Sequence, residues 1–246
     1  MKCLILAAGY ATRLYPLTEN FPKPLLPVKD KTILDWLLDD IHESGEIDEY
    51  IVISNHKYAQ HFHMWAETKP YNITVVDDGT LSNETRLGAV KDVQYAIEKL
   101  NLDCDMLVIA GDNLLDFSLQ GFITYAKERN CTCIMRYFEE NNEKLKKCGV
   151  VSVDDNDLVL SMTEKPANPV SNWCCPPFYY YTKEDSHRIC EGIAAGCGTD
   201  APGSFIAWLC GKSNVYAMEM PGKRYDIGNL TSYEQVKNEY NGIIRA

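Results

Sequence analysis

Several patterns that would place this sequence in a familiar protein class are missing. Its 246 residues contain no apolar run approaching 18 residues, so no segment is predicted to span a bilayer. Basic residues are few, 24 against 35 acidic ones, which leaves a formal net charge of −11. A general nucleic-acid binder or anionic-membrane binder needs a basic face. We therefore expect neither a nucleic-acid partner nor a membrane partner.

Export signals and zinc motifs are also missing. The chain opens with one basic residue, Lys2, and a short apolar stretch that ends at Gly9 without a signal-peptide cleavage pattern, so we expect a cytoplasmic protein. Its ten cysteines do not form the doubled C-x-x-C spacing of a zinc site. We expect them to be reduced, packed thiols.

Two common nucleotide-binding motifs are absent as well. There is no G-x-x-x-x-G-K-[ST], which excludes a P-loop NTPase. There is no G-x-G-x-x-G opening a helix, so the chain lacks the glycine fingerprint of dinucleotide binding that an NAD-dependent oxidoreductase would carry.

Strand-like and helix-like segments alternate in the first part of the chain. Apolar runs predict strands at residues 3–7, 50–54 and 106–110, and helical spacing predicts helices at 32–44 and 84–100. Strands that alternate with helices form βαβ units. The pattern therefore predicts an α/β fold, Rossmann-like, with a mostly parallel mixed sheet flanked by helices.

Beyond about residue 130 the pattern changes to strands that follow one another, among them 149–153 and 178–181. No repeat, low-complexity segment or Pro/Gly/Ser-rich linker divides the chain. We predict one domain over residues 1–246, with a nucleotide-binding half at 1–130 and an acceptor-binding half at 131–246.

The loop after the first strand combines small residues with basic ones. Ala7, Ala8 and Gly9 come first, and Arg13 and Lys23 follow. Small residues let backbone N–H groups approach an anion, and arginine can fork onto phosphate oxygens. A solvated loop with two routine charges is the alternative, but the first 30 residues hold four basic and two acidic residues in an acidic protein. The loop is therefore predicted to bind a polyanion.

Carboxylates follow predicted strands at three places. Asp112 comes after an apolar strand and a glycine, and Asp226 lies between a strand and a helix. The two could converge on one Mg²⁺, although each taken alone fits a turn or capping aspartate. Glu164 and Lys165 also follow a strand, and their alternative role is an exposed charge pair.

Together these residues resemble the sugar-1-phosphate nucleotidyltransferases, the group of glucose-1-phosphate thymidylyltransferases and uridylyltransferases. That family opens with L-A-A-G-x-G-T-R-L-x-P-x-T and P-K-x-L-L-P-V. Here residues 6–18 read LAAGYATRLYPLT and residues 22–28 read PKPLLPV. Gly-Asp-Asn at 111–113, Glu-Lys-Pro at 164–166 and Tyr-Asp-Ile-Gly at 225–228 follow in the family's order.

The resemblance implies a fold of the nucleotide-diphospho-sugar transferase type and an enzyme that uses Mg²⁺. In such an NDP-sugar pyrophosphorylase, a sugar 1-phosphate attacks the α-phosphate of UTP, dTTP or CTP and expels pyrophosphate. By the same resemblance the catalytic residues are Arg13, Lys23, Asp112 and Asp226, of which Asp112 and Asp226 bind the metal; the nucleotide-binding residues are Leu6, Ala7, Ala8, Gly9, Thr12, Arg13, Lys23, Asn83, Gly88 and Asp112; and the sugar-phosphate-binding residues are Gly149, Glu164 and Lys165.

The sequence departs from the family at three places. Ala11 replaces the second glycine of the loop, and Arg224-Tyr225 replaces the usual tryptophan-containing approach to the second aspartate. Residues 174–177, Cys-Cys-Pro-Pro, stand where a Thr-Gly pair is usual, which leaves the sugar contacts there open.

Other functions remain open at this point. A cytidylyltransferase for phosphocholine would use aromatic residues around a cation, and residues 178–181 read Phe-Tyr-Tyr-Tyr. A non-catalytic nucleotide-sugar sensor is an alternative of another class. Gly88 and Asn83 are expected to contact the base, but Asn83 also fits a helix N-cap. The sequence names neither the base nor the sugar, and it leaves a homo-oligomer open.

Overall fold

The computed structural model describes residues 1–244. The β-strands in these residues are β1 (Lys2–Leu6), β2 (Pro27–Val28), β3 (Lys31–Thr32), β4 (Glu49–Ser54), β5 (Ile73–Asp77), β6 (Met106–Ala110), β7 (Leu114–Leu115), β8 (Thr132–Phe138), β9 (Gly149–Val153), β10 (Val159–Glu164), β11 (Trp173–Cys175), β12 (Phe178–Tyr181), β13 (Val215–Glu219) and β14 (Arg224–Tyr225). The α-helices are α1 (Ile33–Glu43), α2 (His56–Ala66), α3 (Ala89–Leu100), α4 (Gln120–Arg129), α5 (Asn142–Leu145), α6 (Lys183–His187), α7 (Ile189–Ala194), α8 (Gly203–Leu209) and α9 (Leu230–Glu239). Short 3-10 helices lie at Thr12–Leu14 and Lys23–Leu25.

The chain divides into two compact units that alternate along the sequence. The first unit contains residues 1–86, 110–121 and those from 221 onward, and the second unit contains residues 87–109 and 122–220. The prediction of one domain with a division near residue 130 stays a prediction.

The first unit contains a parallel sheet in which β4 lies between β1 and β5. Parallel neighbours need a crossover connection, and α1 and α2 supply it in two βαβ units. Thr32 caps the start of helix α1. Its hydroxyl accepts a hydrogen bond from the Asp35 N–H, and the Asp35 carboxylate accepts one from the Thr32 N–H. The carboxyl ends of β1 and β4 therefore meet at one edge of this sheet.

A cluster of buried apolar side chains joins the segments around residues 7–27, the loop predicted to bind a polyanion, which we call the phosphate loop. Strand β14 pairs antiparallel with β7 through the partners Tyr225–Leu114 and Arg224–Leu115. The cluster draws on the loop after β1, on α1, on this two-stranded ribbon and on α9. Its buried members are Leu14, Leu26, Val28, Ile33, Leu114, Ile227, Tyr233, Val236 and Tyr240.

Antiparallel pairs predominate in the second unit. Strand β8 pairs with β11 and β12, β12 pairs with β6, and β9 lies between β11 and β10, all antiparallel. Strand β13 runs parallel to β8. Only Pro176 and Pro177 separate β11 from β12, and proline cannot donate a ladder hydrogen bond. The two prolines therefore divide one stretch of chain into two strands with different partners.

Most of the predicted elements are confirmed. Strands 106–110, 149–153 and 178–181 have their predicted bounds. The predicted helix 84–100 is wrong at its start, because α3 begins only at Ala89, after Gly88 at φ +92°. No α-helix among residues 1–244 is both long enough and apolar enough to cross a membrane.

Candidate functional site

The start of the predicted phosphate loop is fixed by groups at the end of β4. The Ala7 N–H donates to the Ile53 carbonyl at 2.9 Å, which continues the β1–β4 pairing by one residue. The buried Asn55 side chain donates to the Ala8 carbonyl, also at 2.9 Å. These bonds set the direction in which the loop leaves the sheet, and with it the place of the predicted residues 6–9.

The loop then borders open space. A Cβ built on Gly9 would meet no atom within 4 Å, and Thr12 and Arg13 are exposed. Ala11 lies in the left-handed region at φ 46° and ψ 42°, where its carbonyl accepts a hydrogen bond from the Thr18 hydroxyl at 2.8 Å. That conformation explains why the resembling family places glycine here, since glycine adopts it without steric penalty.

Lys23 and Asp112, predicted from distant parts of the chain, form an ion pair. Lys23 is only 7% exposed, and its Nζ donates to Asp112 Oδ2 at 2.7 Å. A buried lysine needs such a partner because burial disfavours an unpaired charge. The Asp112 side chain keeps 41% of its surface exposed, so it stays open to a ligand.

A glycine places Asp112 beside the end of β1. The Gly111 N–H donates to the Leu6 carbonyl at 3.0 Å. A Cβ built on Gly111 would lie 2.8 Å from Ile5 Cγ2, closer than real Cβ contacts allow. Only glycine fits there without a shift, so the following aspartate comes to the same edge of the sheet as the phosphate loop.

Asp226 reaches this region through the ribbon of β7 and β14. The ribbon pairs Tyr225 with Leu114, and continuing that antiparallel register by one residue sets Asp226 opposite Asn113, the neighbour of Asp112. Asp226 is 71% exposed at its side chain. The two carboxylates predicted to share a metal therefore lie in one part of the first unit.

Arg224 connects these groups, although the sequence marked it only as a departure from the family. Its Nη1 donates to Asn113 Oδ1 at 2.8 Å and lies 3.7 Å from Asp226 Oδ1. Desolvation alone would raise the pKa of Asp112. The charge and hydrogen bond of Lys23 and the charge of Arg224 outweigh it, so the pKa lies below its usual value. Asp112 is therefore an ionised carboxylate at neutral pH.

The donor atoms at this place fit Mg²⁺, as far as residues 1–244 supply them. Asp112 and Asp226 offer hard carboxylate oxygens, which this ion prefers. No group of three or more His, Cys, Asp or Glu side chains among the described residues is arranged to hold a metal. An ion held by two carboxylates would take its other ligands from phosphate and water, as magnesium sites commonly do.

The predicted acceptor residues lie on adjacent strands of the second unit. Glu164 on β10 pairs with Gly149 on β9, and Gly149 pairs with Cys175 on β11. A Cβ built on Gly149 would lie 3.0 Å from Glu164 Oε1 and 2.6 Å from Met162 Cε. Gly149 thus leaves the space that the glutamate side chain occupies.

Glu164 lacks the partners that Asp112 has. No hydrogen bond or ion pair from another residue of the described chain reaches its carboxylate. Burial raises the pKa of this carboxyl, with partial opposition from the charge of Lys165. Without a bonded donor among the described residues, this carboxylate can accept hydrogen bonds from a ligand.

Lys165 has an unusual backbone. It lies at φ 48°, although it is not glycine and it precedes Pro166, which disfavours helical conformations. Its N–H donates to the Cys148 carbonyl at 2.9 Å, which holds the turn in place. Strained residues of this kind, costing about 1–3 kcal/mol, cluster at functional sites. The exposed Lys165 side chain is directed by this turn.

The two residues predicted to contact the base occupy different settings. Gly88 caps α3, and a Cβ there would lie 2.6 Å from the Thr199 carbonyl oxygen, so packing alone requires glycine. Asn83 lies in a turn, where its carbonyl accepts a hydrogen bond from Arg86 Nη1 at 2.7 Å, and it does not cap a helix. Their contact with a base stays a prediction.

Comparisons with known proteins agree on one group. A family model described as "Nucleotidyl transferase" matches residues 2–242. The chain is 26% identical to a UTP–glucose-1-phosphate uridylyltransferase of Synechocystis, over 96% of this chain and 62% of that protein. It is 28% identical to a putative mannose-1-phosphate guanyltransferase of Sulfolobus acidocaldarius, over 79% of this chain. The chain spans 62% and 52% of the lengths of these two curated relatives.

Solved structures give the same fold. A UDP-glucose pyrophosphorylase complexed with UDP-glucose superposes with a TM-score of 0.82 at 20% identity, covering 97% of both chains. A putative glucose-1-phosphate thymidylyltransferase from Bacillus anthracis gives 0.83 at 19% identity, covering 97% of this chain and 94% of that one. These likenesses confirm the predicted fold class.

Proposed function

The chain belongs to the nucleotidyl transferase family, and from this premise we propose that it joins a nucleoside triphosphate to a sugar 1-phosphate, giving an NDP-sugar and pyrophosphate. The observation that carries the proposal is the ion pair of Lys23 with Asp112 at the end of the phosphate loop, with Asp226 brought alongside by the β7–β14 ribbon. A cation beside two carboxylates is what a magnesium–triphosphate site requires.

The reaction needs positioning and charge neutralisation more than a base. One oxygen of the sugar phosphate forms a bond to the α-phosphorus, and the bond from that phosphorus to the bridging oxygen of the leaving pyrophosphate breaks. A phosphate monoester, with a second pKa of about 6, is already largely dianionic at pH 7. The two substrates are both anions, and two like unit charges 4 Å apart repel by about 4 kcal/mol at an effective dielectric of 20. Because one hydrogen bond contributes only about 1 kcal/mol, neutralising these charges matters more than any single hydrogen bond.

The residues of the first unit supply that neutralisation in our proposal. Arg13 and Lys23 bind the triphosphate, since both are cations of the loop that follows β1. Asp112 and Asp226 hold Mg²⁺, which supplies positive charge to the phosphate oxygens when bound. Arg224 keeps the two aspartate loops together through Asn113 and Asp226.

The residues of the second unit bind the acceptor in our proposal. Glu164 accepts hydrogen bonds from sugar hydroxyls, because its carboxylate has no donor of its own among the described residues. Lys165 binds the acceptor phosphate from its exposed position after β10. Gly149 contributes by leaving room for the Glu164 carboxylate beside β9.

The aromatic run that is compatible in sequence with a phosphocholine acceptor is not exposed. Phe178, Tyr179, Tyr180 and Tyr181 are each at most 4% exposed, and the Tyr179 and Tyr181 rings stack at 5.9 Å. Buried rings do not form an open cage for a quaternary ammonium group. We therefore retain the sugar phosphate as the acceptor.

The test is a matrix of nucleoside triphosphates against sugar 1-phosphates, assayed by Mg²⁺-dependent release of pyrophosphate. We expect release that requires both substrates, with a pyrimidine nucleotide among UTP, dTTP and CTP preferred. Release with CTP and phosphocholine alone would establish the cytidylyltransferase instead. Binding of nucleotide-sugar with no release from any pair would establish the sensor.

A further inference from the structure

The Glu164 carboxylate lies between two glycines from separate parts of the second unit. Gly149 is its partner across the β9–β10 ladder. Gly203 is the first residue of α8, which packs against β10. A Cβ built on Gly203 would overlap both Glu164 Oε1 and Met162 Cε. The absence of a side chain at 203 therefore leaves the space in which the carboxylate stands.

The backbone at Gly203 does not itself call for glycine. Its φ lies outside the positive range, and it occupies the first position of a helix after Pro202. Alanine is the better helix former in such a conformation. The two groups that a Cβ would meet are both the far ends of flexible side chains. An added methyl group would therefore displace the carboxylate and the thioether while leaving the helix in place.

We propose that Gly203 is a positioning residue of the acceptor site, which fixes the place of the Glu164 carboxylate and thereby sets the affinity for a hydroxyl-bearing sugar phosphate. The role of Glu164 toward the acceptor rests on the proposed function, whereas the placement of its carboxylate by Gly203 does not. The two statements therefore have separate tests.

The kinetic test compares Gly203→Ala with Gly211→Ala. Gly211 follows the other end of α8, and a Cβ there would meet only the Trp208 carbonyl oxygen at 3.7 Å, an ordinary contact. We expect Gly203→Ala to raise KM for the sugar phosphate by about 10- to 100-fold, as for the loss of a hydrogen bond to a charged group. KM for the triphosphate should stay within about twofold, as should every constant of Gly211→Ala. Equal changes in both KM values would overturn the proposal.

A double-mutant cycle separates positioning from a general packing effect. In a Glu164→Ala background there is no carboxylate for the added methyl group to displace, so Gly203→Ala should leave KM for the sugar phosphate unchanged. Independent, additive effects of the two substitutions would assign Gly203 a structural role only and overturn the proposal.

A titration gives a readout that needs no turnover. In protein labelled with ¹³C at the glutamate carboxyl carbons, we expect the raised pKa of Glu164 to fall toward its ordinary value of about 4.3 in Gly203→Ala, because the displaced carboxylate moves toward water. Gly211→Ala should titrate as the parent does. An unchanged pKa in Gly203→Ala would overturn the proposal, whatever the matrix of substrates shows.

Discussion

The carboxylates proposed to bind ligands have opposite pKa shifts in the two units. In the first unit the pKa of Asp112 is lowered, because Asp112 accepts a hydrogen bond from Lys23 and the positive charges of Lys23 and Arg224 stabilise its ionised form. In the second unit Glu164 is desolvated beside glycines, without a donor from the described residues, and its pKa is raised. One carboxylate has its cations before any ligand arrives, whereas the other depends on the ligand for partners. The difference suits a metal ligand in the first case and a sugar ligand in the second.

The largest effect should come from Asp112→Asn. We expect pyrophosphate release to fall by about 1,000-fold, because a negative charge at the proposed metal site is lost. Stability should fall by about 1–3 kcal/mol, since buried Lys23 loses its ionised partner. Kinetics at saturating substrates and chemical denaturation measure the two effects.

The matched control is Asp30→Asn, an exposed carboxylate of the same unit. It should keep both turnover and stability within about twofold and 0.5 kcal/mol of the parent. Full turnover by Asp112→Asn would show that the Asp112 carboxylate takes no part in the reaction.

Glu164→Gln should have the next largest effect. We expect KM for the sugar phosphate to rise by about 10- to 100-fold with little change in KM for the triphosphate, because only the charge of the acceptor site is lost. In the parent, kcat/KM for the sugar phosphate should fall as the pH drops through the raised pKa of Glu164, since the ionised form is the acceptor of hydrogen bonds. The variant should lack that part of the pH profile.

The same substitution also tests stability with a definite sign. A carboxyl whose pKa is raised on folding stabilises the native state below its unfolded pKa, and this contribution is lost as the pH rises through the folded pKa. At neutral pH the ionised Glu164 therefore lowers the free energy of unfolding. Glu164→Gln removes this charge, so the variant should unfold at a higher temperature than the parent. A lower melting temperature of Glu164→Gln at pH 7 would contradict a raised pKa for Glu164, and with it the opposite pKa shifts of the two carboxylates.

Lys165 should show a smaller, split effect. Lys165→Ala and Lys165→Gly both remove the charge, so each should raise KM for the sugar phosphate more than KM for the triphosphate. Only glycine adopts φ 48° without strain, so Lys165→Gly should be more stable than Lys165→Ala by about 1 kcal/mol. Parallel denaturation curves measure the difference, and equal stabilities would show that the turn carries no strain.

The smallest effect concerns the loop in the first unit. Ala11→Gly removes the steric cost of the left-handed conformation, which stabilises the folded state by about 1–2 kcal/mol. It also raises the conformational entropy of the unfolded chain, which lowers stability by about 0.4–1 kcal/mol. The difference between the two is a net gain of about 0–1.6 kcal/mol in unfolding free energy. At about 2–4 °C for each kcal/mol, we expect the melting temperature to rise by up to about 6 °C. Ala8→Gly, at a buried position with ordinary φ, should lower the melting temperature instead.

Much of the fold could be predicted because local signals agree with it. The strand at 106–110 is a continuous apolar run, and the predicted helix 32–44 starts at a threonine, a residue that favours the N-cap position. The start of α3 could not be predicted, because the segment around Thr199 approaches Gly88 from more than a hundred residues away. Helical periodicity alone carries no sign of such a contact.

The residues of the candidate site also differ in whether the sequence could predict them. Lys23 and Asp112 lie in short motifs whose residue types indicate their chemistry, and the structure joins them. Arg224 and Gly203 act through contacts with residues far away in sequence, and a lone arginine or glycine gives no signal of its own. Their positions near the motifs, two residues before Asp226 and at the start of α8, become meaningful only once the ribbon and the helix are seen.

The most direct experiment is a carboxyl titration of Asp112 and Glu164 in one labelled sample. We expect Asp112 to titrate below its ordinary pKa of about 3.9 and Glu164 above its ordinary pKa of about 4.3. If both groups titrate at their ordinary values, or in the reverse order, the two units do not tune their carboxylates for different ligands.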